Sequence, residues 1–412
     1  MEFECMINKI WGGMIVLGII SALIRCLVTD DMQIDAFLQE FFSSADLSVK
    51  VIIGLLGMTC LWMGIASIME SAGLTAKLAR VLEPLFRVIM PDIPKGHPAI
   101  GSITMNMSAN MLGLDNAATP FGIRAMKDMQ TLNGSSDTAS NSQIMFLVIN
   151  TSAITIFPVS IIMYRTQFGS ASPTDVFLPL LLTSAVSTTV GFLVTALIQK
   201  INIFKVPVLA AFVFLAGLIA GLAVWAVRAG ENLASQATVF SDVCMVGFVG
   251  AVTAYAMFLK KNVFEDFVKG ARQGFGICID ILPYLVAMLF AIAVFRSSGL
   301  LELITGGLKW LFGLFLSDTA FTDALPVGLV RPLSGSGARA MLLDVFKNYG
   351  PDSLQGHIAS IMQGSTETTL YVIAVYFGSV GITRVRHAVF CGLMADLASV
   401  IAAVVIGYMF FG

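Results

Sequence analysis

Apolar residues in this chain come in long, nearly unbroken blocks rather than at the spacing of a half-buried helix or strand. A bilayer crossing needs about 20 such residues. Blocks of that order fall near 10–28, 51–69, 144–164, 176–199, 206–227, 239–259, 274–295, 358–378 and 388–411. The pattern predicts nine transmembrane helices. Two stretches break it, one between the second and third spans and one between the seventh and eighth. Each opens with a predicted amphipathic helix, about 74–90 with Lys77, Arg80 and Arg87, and about 299–316 with Glu302 and Lys309. Each then enters a short, interrupted apolar segment. The later one contains LVRPLSGSGARAM, Leu329 to Met341, where arginine, proline and small residues free backbone groups from helix. Such a break survives at membrane depth only where it lines a cavity or is buried in protein.

The blocks also recur in order. AFLQEFF (36–42) has its counterpart in VFEDFVKG (263–270), and ESAGL (70–74) in RSSGL (296–300). G-x-R-A-M occurs at Gly122–Met126 and Gly337–Met341, and INTSAIT (149–155) matches MQGSTET (362–368). Four landmarks in one order predict an internal repeat. Each copy holds four spans, and the run Val206 to Val227 stands between them as a linker span. Corresponding spans are then an odd number of crossings apart, which inverts the second copy relative to the first, the plan of many transporters. The predicted organisation is therefore all-α and polytopic. Two four-span inverted repeats, 1–199 and 236–412, each carry a re-entrant broken segment and are joined by a linker region, 200–235.

Composition agrees, with 57% hydrophobic and 12% charged residues and a mean hydropathy of +0.87. A formal net charge of -2 gives no reason to expect nucleic acid as a partner. The excess of Lys and Arg in alternate loops predicts a cytoplasmic N-terminus and an external C-terminus. The six cysteines form no C-x-x-C pair and are read as reduced packing residues. His97, His357 and His387 lack ligand spacing, so no metal or other cofactor is expected. Motifs for zinc peptidases, ATP use and nucleophile-elbow hydrolases are missing, and the chain is read as a non-enzyme.

Polar residues at membrane depth mark the candidate site. Glu367 lies about 14 Å into the 358–378 block by helical rise, near the midplane, where a carboxylate is costly without a function or a partner. Gln363, Ser365, Thr366 and Thr368 surround it. The first-copy equivalents are Asn150, Ser152 and Thr155, with Ile154 in the place of Glu367. The earlier broken segment supplies Asn106, Ser108, Asn110, Asn116, Thr119 and Arg124, and the later one Arg331, Ser334, Ser336 and Arg339. Asp396, roughly 12 Å into the last span, is a second candidate for ion coupling. Static packing is the competing reading, with Ser and Thr satisfying backbone and Glu367 paired to Arg331 or Arg339.

Through these residues the chain resembles a known family. MPDIPKGHPAIG (90–101) and ANMLGLDNAATPFGIRAM (109–126) resemble spore maturation protein A. YLVAMLFAIAVFRSSG (284–299), RPLSGSGA (331–338), YGPDS (349–353) and MQGSTETTLYVIAVYFGSVGI (362–382) resemble spore maturation protein B. Both belong to the nucleoside recognition, or Gate, group of membrane proteins. The resemblance implies a bacterial cytoplasmic membrane protein with an envelope or spore-maturation role, in which two usually separate modules are fused. The expected function is a secondary transporter or flippase-like carrier of a small polar or anionic solute, coupled to protons or sodium and active as a homo-oligomer in the lipid bilayer. Two alternatives stay open: a non-transporting scaffold for a peptidoglycan-modifying enzyme, and an intramembrane enzyme using Glu367 and Asp396.

Overall fold

The computed structural model describes residues 2–28, 34–112, 115–152, 155, 156, 158–203, 205–210 and 233–412, with isolated positions between 213 and 228. The expected linker span and Ile154 lie largely or wholly outside these residues. The first helices are α1 (Glu2–Val28), α2 (Ile34–Ser71), α3 (Leu74–Ile89), α4 (Pro98–Met111), α5 (Asp115–Gln130), α6 (Asn141–Thr151), α7 (Val159–Gln167) and α8 (Phe177–Gln199). After 232 come α9 (Leu233–Phe258), α10 (Val263–Ser297), α11 (Leu300–Gly313), a 3-10 turn (Ala320–Asp323) and α12 (Leu325–Val330). The chain closes with α13 (Gly335–Tyr349), α14 (Leu354–Gly364), α15 (Thr369–Gly378) and α16 (Ala388–Phe411). Among the described residues the one β pairing is an isolated bridge between Thr138 and Arg384.

Five of these helices are long and apolar enough to cross a bilayer: Phe37–Ser71, Phe177–Gln199, Ser235–Phe258, Val263–Ser297 and Ala388–Phe411. Trp11–Leu27 is a shorter apolar helix. The chain is a multi-pass membrane protein. Two expected spans are not continuous. The block 144–164 is α6 and α7 with a break between them, and 358–378 is α14 and α15 with a break at 365–368. The reason is local: Ser and Thr hydroxyls compete for backbone hydrogen bonds, and Pro158 cannot donate one.

The order of elements after α1 recurs after α9. A long helix (α2, α10) ends at a left-handed glycine, Gly73 at φ 69° or Gly299 at φ 81°, which turns the chain into an amphipathic helix. Glycine takes this conformation without the steric cost of a Cβ. A helical hairpin follows, then a broken helix, then one long apolar helix. Both broken helices start at a serine N-cap. Ser140 Oγ accepts from Gln143 N at 3.3 Å, and Ser353 Oγ from Gly356 N at 2.9 Å.

Helices α2 and α10 form the most extensive pairing. They approach so closely that a Cβ on Gly270 would lie 2.1 Å from Met63 O, and one on Gly274 2.8 Å from Thr59 O. Small residues permit the contact, as is common where lipid rather than water surrounds helices.

The two broken helices lie antiparallel, because each end of one is tied to the opposite end of the other. At one end, Thr383 N and Arg384 N donate to Asp137 O at 2.9 and 2.8 Å, and Ala139 N donates to Arg384 O at 3.0 Å. This joins the α5–α6 loop to the α15–α16 loop. At the other end, Arg165, fully buried at the end of α7, donates to Asp175 Oδ1 at 2.8 Å, Asp352 Oδ1 at 2.9 Å and Pro351 O at 2.7 Å. His357 Nε2 meets Asp175 Oδ2 at 2.9 Å, and the His357 ring stacks on Phe411 with centroids 3.7 Å apart. Side-chain ligand atoms of Asp175, Asp352 and His357 lie within 4.8 Å of one another, a spacing that could hold a metal ion, and the Arg165 guanidinium bonds to both carboxylates there. Burial alone raises the Asp352 pKa. The hydrogen bonds from Ser170 Oγ and Ala171 N, with the Arg165 charge, outweigh it and hold this carboxyl below its ordinary value of 3.8.

Gly270→Ala is expected to destabilise the protein by about 1–3 kcal/mol through overpacking against backbone. Gly276→Ala in the same helix, where a Cβ meets nothing within 4 Å, should be neutral or slightly stabilising. Thermal unfolding in detergent measures both. Arg165→Met removes the guanidinium that the buried Asp175 and the neighbouring Asp352 share and should cost roughly 3–5 kcal/mol. Because the folded pKa of Asp352 is lowered, its contribution is present at neutral pH and lost as pH falls through and below the ordinary carboxylate range. An acid titration of stability should show a smaller decline for Asp352→Asn than for the unmodified chain.

Candidate functional site

The breaks in the two broken helices abut. Glu367 N, with no partner inside its own helix, donates to Thr151 O at 2.7 Å, at the end of α6. Each hairpin supports the break in its own half: Ile156 N donates to Met111 O at 2.9 Å, and Leu370 N to Pro332 O at 3.0 Å. Arg331, buried at the turn between α12 and α13, closes the arrangement. Its Nε donates to Thr366 O at 2.8 Å, its Nη2 bonds to the same oxygen, and Nη2 lies 3.5 Å from Glu367 Oε2. A guanidinium suits this position because it offers several donors in a fixed plane and keeps its charge. Glu367 therefore sits in an unwound segment, partly exposed, and not within a continuous helix as its spacing suggested.

Beside this crossing is a cavity of about 240 Å³. Its polar side chains include Thr155, Arg331, Arg339, Gln363 and Glu367, and its apolar wall comes largely from α2, α7 and α10 through Trp62, Met63, Tyr164, Cys278 and Ile281. Arg339, on the first turns of α13, has its guanidinium carbon 5.8 Å from the centre of the Tyr164 ring, a cation–π contact. No described carboxylate lies within ion-pair distance of it. The ionised side chains at the cavity are two guanidiniums and one carboxylate, a net charge that favours an anion.

The remaining candidates divide between this site and others. Asn150 Nδ2 donates to Asn106 Oδ1, and Asn106 Nδ2 donates to Ala118 O at 2.7 Å and approaches Tyr376 Oη at 3.2 Å, so both amides are committed to a buried core contact. Ser108 and Ser152 donate back to carbonyls one turn earlier in their own helices, Thr104 O at 2.7 Å and Val148 O at 2.9 Å. Asn110 is half-buried, while Thr119 and Arg124 are exposed on α5 away from the cavity lining. The side chain of Asn116 lies outside the described residues. Ser334 caps α13 by accepting from Gly337 N at 3.0 Å, and Ser336 Oγ is 3.3 Å from Ser334 Oγ. Ser365 Oγ pairs with Ser399 Oγ at 2.6 Å. Thr366 contributes its carbonyl rather than its hydroxyl to Arg331. Thr368 precedes α15, its hydroxyl 2.7 Å from where a Cβ on Gly335 would lie. Asp396, buried on α16, accepts from Thr369 Oγ1 at 2.7 Å through Oδ2, and no described protein group donates to its Oδ1. Tyr164 and Trp62 escaped sequence reasoning because both sit within apolar stretches. Arg165 and Asp175, which pair with each other, escaped because their further partners, Asp352 and His357, lie far along the chain.

Comparison with known proteins adds the lineage. A family model described as "Gate: Nucleoside recognition" matches residues 52–168 and 278–383. The chain is 44% identical over 164 residues to spore maturation protein B of Bacillus subtilis (strain 168), covering 90% of that protein and 40% of this chain. It is 37% identical over 182 residues to spore maturation protein A of the same organism, covering 90% of that protein and 44% of this chain. The two matched segments of the family model end and begin on either side of α8 and α9, and they contain both hairpins, both breaks and every side chain named at the cavity except Phe248 of α9. With more than half of its length in that match, the chain belongs to the Gate nucleoside recognition family and is related to spore maturation proteins A and B.

Proposed function

We propose that the protein is a secondary carrier, or flippase-like transporter, of a small polar or anionic solute, with its binding site in the cavity beside the two breaks. The observation that carries this reading is the direct contact between the breaks, Glu367 N to Thr151 O, next to a cavity bearing Arg331, Arg339 and Glu367. Discontinuous helices that meet at membrane depth supply free backbone groups and helix ends, the usual materials of transporter sites. The antiparallel course of the broken helices and the recurring order of elements support an inverted repeat, with a module like spore maturation protein A over 1–199 and one like protein B over 236–412. With the linker span between them this gives nine crossings, a cytoplasmic N-terminus and an external C-terminus in the bacterial cytoplasmic membrane.

In this mechanism Arg339 attracts the anionic group of the solute, while Arg331 holds the break in α14–α15 by its bonds to Thr366 O. Glu367, only 3.5 Å from Arg331, exchanges that partner for a proton or a sodium ion as the site changes access. Asp396 is a second coupling group, poised by its bond to Thr369 at the start of α15.

Uptake of labelled carboxylates, sugar phosphates and nucleosides into proteoliposomes, under imposed proton or sodium gradients, tests the reading. At least one anionic solute should accumulate. Arg339→Gln should reduce its initial rate by about 10- to 100-fold, the loss expected for one charge-assisted contact. Glu367→Gln should remove the dependence on the gradient while the protein stays folded. Accumulation of no solute by folded protein would favour the scaffold reading.

A further inference from the structure

Two cavities among the described residues with charged side chains can be compared. One, of about 300 Å³ between α10 and α13, is lined by groups that neutralise one another: Arg296 pairs with Asp344 and Glu302, and Lys347 with Glu40. The cavity beside the breaks differs on this point. Arg331 and Glu367 form a pair, but among the described residues no carboxylate pairs with Arg339, which lies over the face of Tyr164.

Gln363 is the second unusual group there. It is 5% exposed, lines the cavity from the last turn of α14, and its buried carboxamide oxygen accepts no hydrogen bond from any described residue. Burying an amide in this way is costly. Alignment of INTSAIT with MQGSTET places Gln363 opposite Asn150, whose amide is used by Asn106 in the core. One half has absorbed this polar group into packing, and the other has left it facing a cavity. Apart from the hydroxyls of Thr59, Thr155 and Ser160, most of the remaining wall is apolar, through residues such as Trp62, Met63, Met69, Ile281 and Phe248.

From these features we infer that the cavity takes a small organic anion with an apolar body and a hydrogen-bond donor beside its anionic group. The anion lies at Arg339, the donor reaches the Gln363 carboxamide, and the body packs against α2 and α10. The inference rests on the carrier reading for the role of the cavity and adds the chemistry of the ligand. At about 30 Å³ per water-sized group, the volume suits on the order of eight non-hydrogen atoms. A bare inorganic ion would leave the apolar wall unused, and a large headgroup would not fit.

Equilibrium binding to the purified full-length protein in nanodiscs tests this with four probes: 2-hydroxy-4-methylpentanoate, 4-methylpentanoate, lactate and 4-methylpentan-1-ol. The hydroxy acid should bind about tenfold more tightly than 4-methylpentanoate, because a site built around a polar group discriminates against a ligand lacking its partner. Lactate, without the branched body, and the alcohol, without the charge, should each bind at least tenfold more weakly than the hydroxy acid. Gln363→Leu should abolish the preference for the hydroxyl while leaving 4-methylpentanoate within about twofold. Arg339→Gln should weaken both longer acids by tenfold or more. Melting curves of each variant establish that it is folded. Equal binding of the two longer acids, or a preference that survives Gln363→Leu, would overturn the inference. Inorganic phosphate or uridine binding more tightly than either acid, and depending on Arg339, would overturn the ligand class and leave the carrier reading standing. Arg339-independent binding of every probe would overturn both.

Discussion

Backbone groups released by a helix break cannot be left bare inside a bilayer, and this constraint organises the centre of the protein. Both broken helices release amides and carbonyls at the same place, and each half answers part of the other's need. Thr151 O of the first takes Glu367 N of the second, while Thr366 O is taken by Arg331 from the neighbouring hairpin. The hairpins exist to make this possible. Met111 O and Pro332 O, at the end of each first arm, accept from the residues that resume the chain after the breaks. Removing either hairpin would expose polar backbone that no lipid can satisfy.

The ties at the ends of the broken helices hold the breaks in register. At one end the bonds are mostly backbone, exposed in part, and involve Asp137 and Arg384. At the other they run through the buried guanidinium of Arg165, with two carboxylates and a histidine. The carrier proposed for this chain would need some elements that stay fixed and others that shift. The buried end, where the charge is fully surrounded, is suited to be the fixed one, since separating it would strand an ion in a low dielectric.

Asymmetry between the halves turns the scaffold into a site. The first half spends its polar side chains on packing: Asn150 donates to Asn106, which in turn meets Tyr376 of the other half in a buried contact, and Ser108 and Ser152 bond to their own helices. The second half keeps Arg339, Gln363 and Glu367 at a cavity, with an aromatic and aliphatic wall lent by α2 and α7. Halves with a recurring order of elements thus differ in the polar groups they leave at this cavity.

The nearly all-helical make-up, the membrane environment and the places where the long apolar helices give way to shorter ones were legible in the sequence, because hydropathy, glycine, proline and hydroxyl runs act locally on the chain. G-x-R-A-M and the Ser-Thr-Glu-Thr run singled out Arg339 and Glu367, and both line the cavity beside the breaks. That run was read as the interior of a span, since apolar content alone does not separate a continuous helix from one that unwinds for four residues. Which polar side chains face the cavity was decided only by the tertiary structure. Asn106 and Tyr376 are 270 positions apart, and Arg165 and Asp352 are 187, so nothing in the local pattern of either partner shows that it is satisfied. Polar residue types at membrane depth announce a need for partners, and only the packing of distant helices determines whether protein or ligand meets it.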